Sequence, residues 1–143
     1  IAKMASGAVA TFEASRLSTG CKNANRLEIH GEKGAIRFNF ERMNELDWYD
    51  ATLPAELQGW NTINVTDGNA NHPYAASWWP AAHILGYEHS FINQAADMLT
   101  VIGGGEPVVP LADFADAYEV QKVLSAVVES DKQRSPVPLD QIQ

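Results

Sequence analysis

The chain has 143 residues, 45% hydrophobic and 20% charged, the proportions of an ordinary globular domain with one core. Ten Lys and Arg stand against 18 Asp and Glu, a formal net charge of -8, and the scattered basic residues exclude a surface built for a phosphate backbone. No apolar run approaches the ~18 residues of a membrane span, and the single cysteine, Cys21, excludes an intrachain disulfide or a multi-cysteine zinc site. The opening IAKMASGAV carries neither an initiator methionine nor the zones of a signal peptide. The expectation is a reducing, cytoplasmic setting and a chain trimmed from a longer protein.

GAVATFEASR, residues 7–16, alternates Ala8, Ala10, Phe12 and Ala14 against Val9, Thr11, Glu13 and Ser15, which predicts a first strand. Residues 18–25 are a polar connection. RLEIHGEKGAIRFNF then alternates Leu27 and Ile29 before Gly31, and Ile36, Phe38 and Phe40 after Gly34. That pattern predicts a hairpin whose glycines supply positive φ at the turn. Residues 44–50 and 59–66 predict a third and a fourth strand, with Pro54 in the loop between them. Residues 67–75, rich in Gly, Asn and Pro, read as loop.

Beyond that loop the period lengthens. Tyr87, Phe91, Ala95, Met98 and Ile102 recur at helical spacing and stop at Gly103, Gly104 and Gly105, predicting one amphipathic helix from near Leu85. Asp113 is placed as N-cap of a second helix, with Asp116 near its positive end, running to about Ser130. SPVPL, residues 135–139, is an extended tail. Strands first and helices second predict an α+β domain: an open, mainly antiparallel sheet with two main helices packed on one face. The other face, with Trp48 and Tyr49 nearby, is expected to pack against a partner, another copy of the chain.

The densest chemistry lies in WWPAAHILGYEHSF, residues 78–91. His83, Glu88 and His89 diverge on a helix and lack the HExxH pattern, so they are not read as a metal site. His83, just outside the helix, is the better functional histidine, able to hydrogen-bond a hydroxylated ligand or move a proton. His89 falls with Asn93 on the polar side and reads as solvated or paired. Of the adjacent tryptophans, one can lock the loop and the other wall a ligand, or both can be core. Tyr87 and Phe91 read mainly as core. Arg16 and Arg26 bracket one end of the early strands, suited to an anionic or hydroxyl-rich ligand or to surface ion pairs. No G-x-S-x-G elbow is present, and the three glycines follow a helix instead of a strand, unlike a dinucleotide-binding turn.

SGAVATFEASR, the GEKGAI turn, WWPAAHILGYEHSFINQAADML and a closing helix before SPVPL, in that order, resemble the C-terminal domain of the Gfo/Idh/MocA oxidoreductases, the glucose-fructose oxidoreductase and inositol dehydrogenase family. The resemblance runs from Gly7 to Leu139. It implies that residues 1–143 are a single domain, the substrate and oligomerisation part of an NAD- or NADP-dependent enzyme acting on a CH–OH group of a sugar, cyclitol or related compound. The Rossmann domain, the Glu-Lys-Pro motif and the catalytic Asp and His of that family have no match here. They are expected before Ile1, leaving this chain inactive alone and without its own cofactor or metal. The resemblance puts Trp79, His83 and Tyr87 at the substrate pocket, with Arg16 as a further ligand contact. It also implies a homodimer or homotetramer built through the open sheet face. Two readings compete with it, a non-catalytic homodimerisation module and a small carbohydrate-binding module.

Overall fold

A computed structural model describes residues 1–67 and 72–142; part of the loop expected over 67–75 lies outside them. The chain forms two compact units, Ile1–Ala70 and Asn71–Gln143.

In the first unit, β1 (Ala2–Lys3) and β2 (Val9–Ala10) form a short antiparallel ladder around a turn at Gly7, whose φ is +90°. The strand expected over residues 7–16 is therefore only two residues long. A strand persists where a neighbour supplies its ladder; β1 offers two residues, and alternating alanines bury little area to hold more. Arg16 lies beyond β2 in exposed, irregular chain.

The main sheet has four antiparallel strands in the order β3 (Arg26–Gly31), β4 (Gly34–Asn39), β5 (Glu45–Asp50) and β6 (Trp60–Asn64). This is the meander that the alternation predicted. Its register aligns Ile29, Ile36 and Trp48 across three strands and Leu46 with Ile63, giving one predominantly apolar face. The opposite face carries Glu28, Arg37, Asp47 and Thr62 in one row. There the Arg37 Nε donates to Asp47 at 2.9 Å and the Thr62 hydroxyl donates to the other Asp47 oxygen at 2.7 Å. These bonds, the Arg37 bond first, hold the Asp47 carboxyl below its ordinary value. The Arg37 guanidinium also lies 4.1 Å from the centroid of Trp60, a cation–π contact. The carboxylate of Glu41 accepts from the backbone N–H groups of Lys22 and Asn23 at 3.3 and 2.9 Å, tying the polar connection to the end of β4.

The β3–β4 turn corrects one expectation. Neither Gly31 nor Gly34 has positive φ. Gly34 is required for space: a Cβ there would sit 2.5 Å from the Tyr49 carbonyl oxygen of β5, whereas one at Gly31 would meet nothing closer than 3.6 Å.

In the second unit, α1 spans Tyr87–Ile102 and α2 spans Phe114–Gln133. The glycine stop of α1 forms as expected, with Gly104 at φ +84°. So does the cap of α2: Asp113 Oδ1 accepts from the N–H groups of Ala115 and Asp116 at 2.7 and 3.0 Å, and Asp116 returns a bond to the Asp113 N–H. α2 runs three residues past Ser130. Glu129 pairs with Lys132 and accepts from Gln133, supporting the last turn, and Arg134 closes it at φ +54°. The tail ends in a 3₁₀ turn, Leu139–Gln141, against α2. The architecture is α+β, and among the described residues no helix is long and apolar enough to cross a membrane.

Candidate functional site

The aromatic run is shaped by what precedes it. Nδ1 of His72 accepts from the backbone N–H groups of Tyr74 and Ala75 at 3.2 and 3.1 Å, acting as the side-chain cap that Asn or Ser usually supplies. A 3₁₀ turn, Ala75–Ser77, follows, and the N–H groups of Trp78 and Trp79 both return to the Ala75 carbonyl. Pro80 then carries the chain to Ala82, whose φ of 64° is a left-handed conformation in a residue that bears a Cβ.

That reversal directs His83 back onto its own loop. Its backbone N–H donates to the Pro80 carbonyl at 3.3 Å, and its ring Nδ1 lies 3.0 Å from the same oxygen and 3.2 Å from the Ala81 carbonyl. Nδ1 therefore carries a proton, and in the neutral ring Nε2 is left as an acceptor on an exposed side chain. Trp79 is 50% exposed and Tyr87 55%, so both present aromatic surface. Tyr87 meets Phe91 edge to face at 5.0 Å, yet Phe91 too is about half exposed; the expectation that this pair is core does not hold. Trp79, His83 and Tyr87 thus belong to one continuous segment of the second unit, while Arg16 belongs to the first.

The buried row of α1 is the polar one. His89, Asn93 and Asp97 recur at four-residue spacing on the side opposite the apolar stripe, and His89 and Asp97 are among the few buried residues described. Of the two alternatives for His89, solvated or paired, the structure gives the second: its Nδ1 accepts from the Gly86 N–H at 3.0 Å and its ring packs edge to face on Trp78 at 4.4 Å. Trp78 Nε1 donates to Asn93 Oδ1 at 2.8 Å. Asp97 accepts from the Tyr74 hydroxyl and from the N–H groups of Val108 and Val109 at 3.1 and 3.5 Å. The Tyr74 bond first, then that of Val108, holds the Asp97 carboxyl below its ordinary value. Burial, reinforced by the bond to Asp97 and its charge, pushes the Tyr74 hydroxyl up to about 12. A polar row on a helix otherwise marked by an apolar stripe, preceded by Tyr and Trp able to donate to it, was the available signal.

Nicotinamide dinucleotides are held at the phosphates by free backbone N–H groups of a glycine-rich turn. Residues Gly103, Gly104 and Gly105 do not fit that role. Their N–H groups are bonded to the carbonyls of Leu99, Val101 and Thr100 at 2.9, 3.0 and 2.9 Å.

With this geometry in place, the similarities are informative. The chain is 38% identical over 141 residues to levoglucosan dehydrogenase of Pseudarthrobacter phenanthrenivorans (strain DSM 18606 / JCM 16027 / LMG 23796 / Sphe3), matching 98% of this chain and 35% of that protein. The crystal structure of an oxidoreductase domain protein from Kribbella flavida aligns at 47% identity and a TM-score of 0.75, over 85% of this chain and 30% of that one. Levoglucosan dehydrogenase in complex with NADH and levoglucosan aligns at 35% identity and a TM-score of 0.79, over 93% and 35%. The chain thus spans about a third of the length of each. Residues 2–139 match the C-terminal alpha/beta domain of the Gfo/Idh/MocA oxidoreductase family, and the chain belongs to that family.

Proposed function

We propose that this chain is the substrate-binding and oligomerisation part of an NAD- or NADP-dependent oxidoreductase acting on a CH–OH group of a sugar, cyclitol or related polyhydroxylated compound. The observation that carries this reading is the 38% identity, across 98% of the chain, to a levoglucosan dehydrogenase. The chain is one domain of a longer cytoplasmic protein whose cofactor is bound by the remainder, consistent with the occupied glycine N–H groups after α1, and alone it is inactive.

Within the pocket, Trp79 offers an aromatic face to the C–H face of a saturated ring. His83 accepts a hydroxyl proton at Nε2 or, protonated, donates there. The Tyr87 hydroxyl is a further polar contact on the same segment; Arg16, in the first unit, is proposed separately as a cationic contact for ligand hydroxyls. These groups orient the substrate; they do not take the hydride. In the full-length protein, alanine at Trp79 or His83 is expected to raise KM for levoglucosan about tenfold, the loss of one ring contact or one polar bond. Unchanged KM and kcat in both variants would remove the reading.

The apolar sheet face has its own role. Leu27, Ile29, Trp48 and Ile63 are each 40% to 54% exposed, and we assign that face to contact with a second copy. Light scattering of the full-length protein is expected to give a dimer or tetramer, and Ile29→Asp to shift it toward monomer. A wild-type protein that is monomeric at micromolar concentration is the contrary result.

A further inference from the structure

His89 has no part in the reading above, yet it is the buried histidine of the second unit, 9% exposed. It occupies the third position of α1, where its Nδ1 accepts the Gly86 N–H at 3.0 Å. A donor aimed at Nδ1 fixes the neutral tautomer with its proton on Nε2. The Glu88 carboxylate, 72% exposed at its side chain, stands 3.5 Å from the same nitrogen. The ring itself touches both tryptophans, Trp78 edge to face at 4.4 Å and Trp79 at 6.3 Å with the planes 66° apart. Trp78 is in turn anchored at its indole N–H by Asn93, one turn further along α1.

Two separable jobs meet in this side chain. Nδ1 caps the helix by satisfying an otherwise unpaired N–H group. The ring meets each indole edge to face, and its contact with Trp79 limits where that half-exposed side chain can lie. We infer that His89 is a positioning residue, its ring setting the placement of Trp79 against a polyhydroxylated ring. This inference rests on the proposal that Trp79 contacts substrate.

The two jobs divide between two substitutions in the full-length protein, assayed with levoglucosan and NAD. Gln at the third helical position can still reach back to the Gly86 N–H, so His89→Gln keeps the cap and removes the ring. It is expected to raise KM about fivefold, leave kcat within about twofold, and alter the near-ultraviolet circular dichroism of the tryptophans. His89→Phe keeps a flat ring and removes the acceptor; it is expected to lower the melting temperature while KM stays near that of the wild type. A folded His89→Gln protein with unchanged KM and unchanged tryptophan dichroism overturns the inference. If that variant does not fold, His89→Phe decides, and a KM raised as far as in Trp79→Ala overturns it. Trp79→Ala separates the two levels: without effect on KM it removes the substrate reading itself, whereas an effect there beside silent His89 variants removes only the positioning role.

Discussion

Asp97→Ala is expected to lower the melting temperature by on the order of ten degrees. The carboxylate is 2% exposed and accepts from three donors that come from two separate stretches, Tyr74 before α1 and Val108 and Val109 after it. Alanine strips the half-buried Tyr74 hydroxyl and the N–H groups of the more exposed Val108 and Val109 of their common acceptor, and a donor left without its partner costs more than the net worth of an average hydrogen bond to the extent that water cannot replace it. Asp97→Asn, which retains one acceptor oxygen but places an NH₂ before the remaining donors, is expected to fall between alanine and the wild type. The same site gives a pH dependence with two limits. The folded-state pKa of Asp97 is lowered, so its contribution is present above the unfolded carboxylate value near 4 and is lost as pH falls through the folded value. The folded-state pKa of Tyr74 is raised to about 12, so its contribution is present below about 10 and disappears as pH rises from there through about 12. Melting temperatures recorded from pH 3 to pH 12 are therefore expected to fall at both ends, and Tyr74→Phe to flatten the alkaline limb. A melting temperature for Asp97→Ala within two degrees of the wild type would show that the cluster does not hold these segments together.

Gly34→Ala is expected to destabilise the protein by about 2–3 kcal/mol, the usual cost of forcing an extra methyl into a packed position. The added Cβ would lie 2.5 Å from the Tyr49 carbonyl oxygen, and that oxygen belongs to a strand that is paired on both sides. Neither backbone can yield without loosening the ladder, so the sheet has to open at the Gly34–Asp50 end. Gly31→Ala is the internal control: it sits in the same turn with ordinary φ and its nearest neighbour 3.6 Å away, and is expected to change stability by less than about 0.5 kcal/mol. Chemical denaturation of the two variants side by side distinguishes a steric requirement at one glycine from a general need for turn flexibility.

The legibility of the sequence followed the range of the forces involved. The β3–β6 meander and both helices were readable because alternation, the Asp113 cap and the glycine stop after Ile102 are local signals. The strand at residues 7–16 was not, because alternating alanines look like a strand whether or not a neighbour supplies a ladder, and β1 supplies only two residues of one. Gly34 was placed correctly but for the wrong reason: its partner is the backbone of β5, fifteen residues on, which φ preferences do not report. On α1, amphipathic periodicity pointed to the wrong side. Hydrophobicity ranks His89, Asn93 and Asp97 as outward, whereas His89 and Asp97 are buried in bonds to Gly86, Tyr74, Val108 and Val109, and Asn93 holds Trp78. A polar row with matched donors satisfies burial as well as an apolar one, and only the paired geometry distinguishes it from a solvated face. His83 stood out by its place just outside the helix and the adjacent tryptophans by their size, whereas grouping Trp79, His83 and Tyr87 at a substrate pocket came from family resemblance; the structure adds the loop that carries two of them.

That loop contains Ala82 at φ 64°. A left-handed alanine sits about 1 kcal/mol above its relaxed conformation, so the segment keeps its shape because the surrounding bonds, from His83 to the carbonyls of Pro80 and Ala81, exceed that cost. The conformational freedom of the loop backbone and of the His83 ring is consequently surrendered when the chain folds, so a ligand at the proposed site would meet a histidine whose ordering entropy has already been lost.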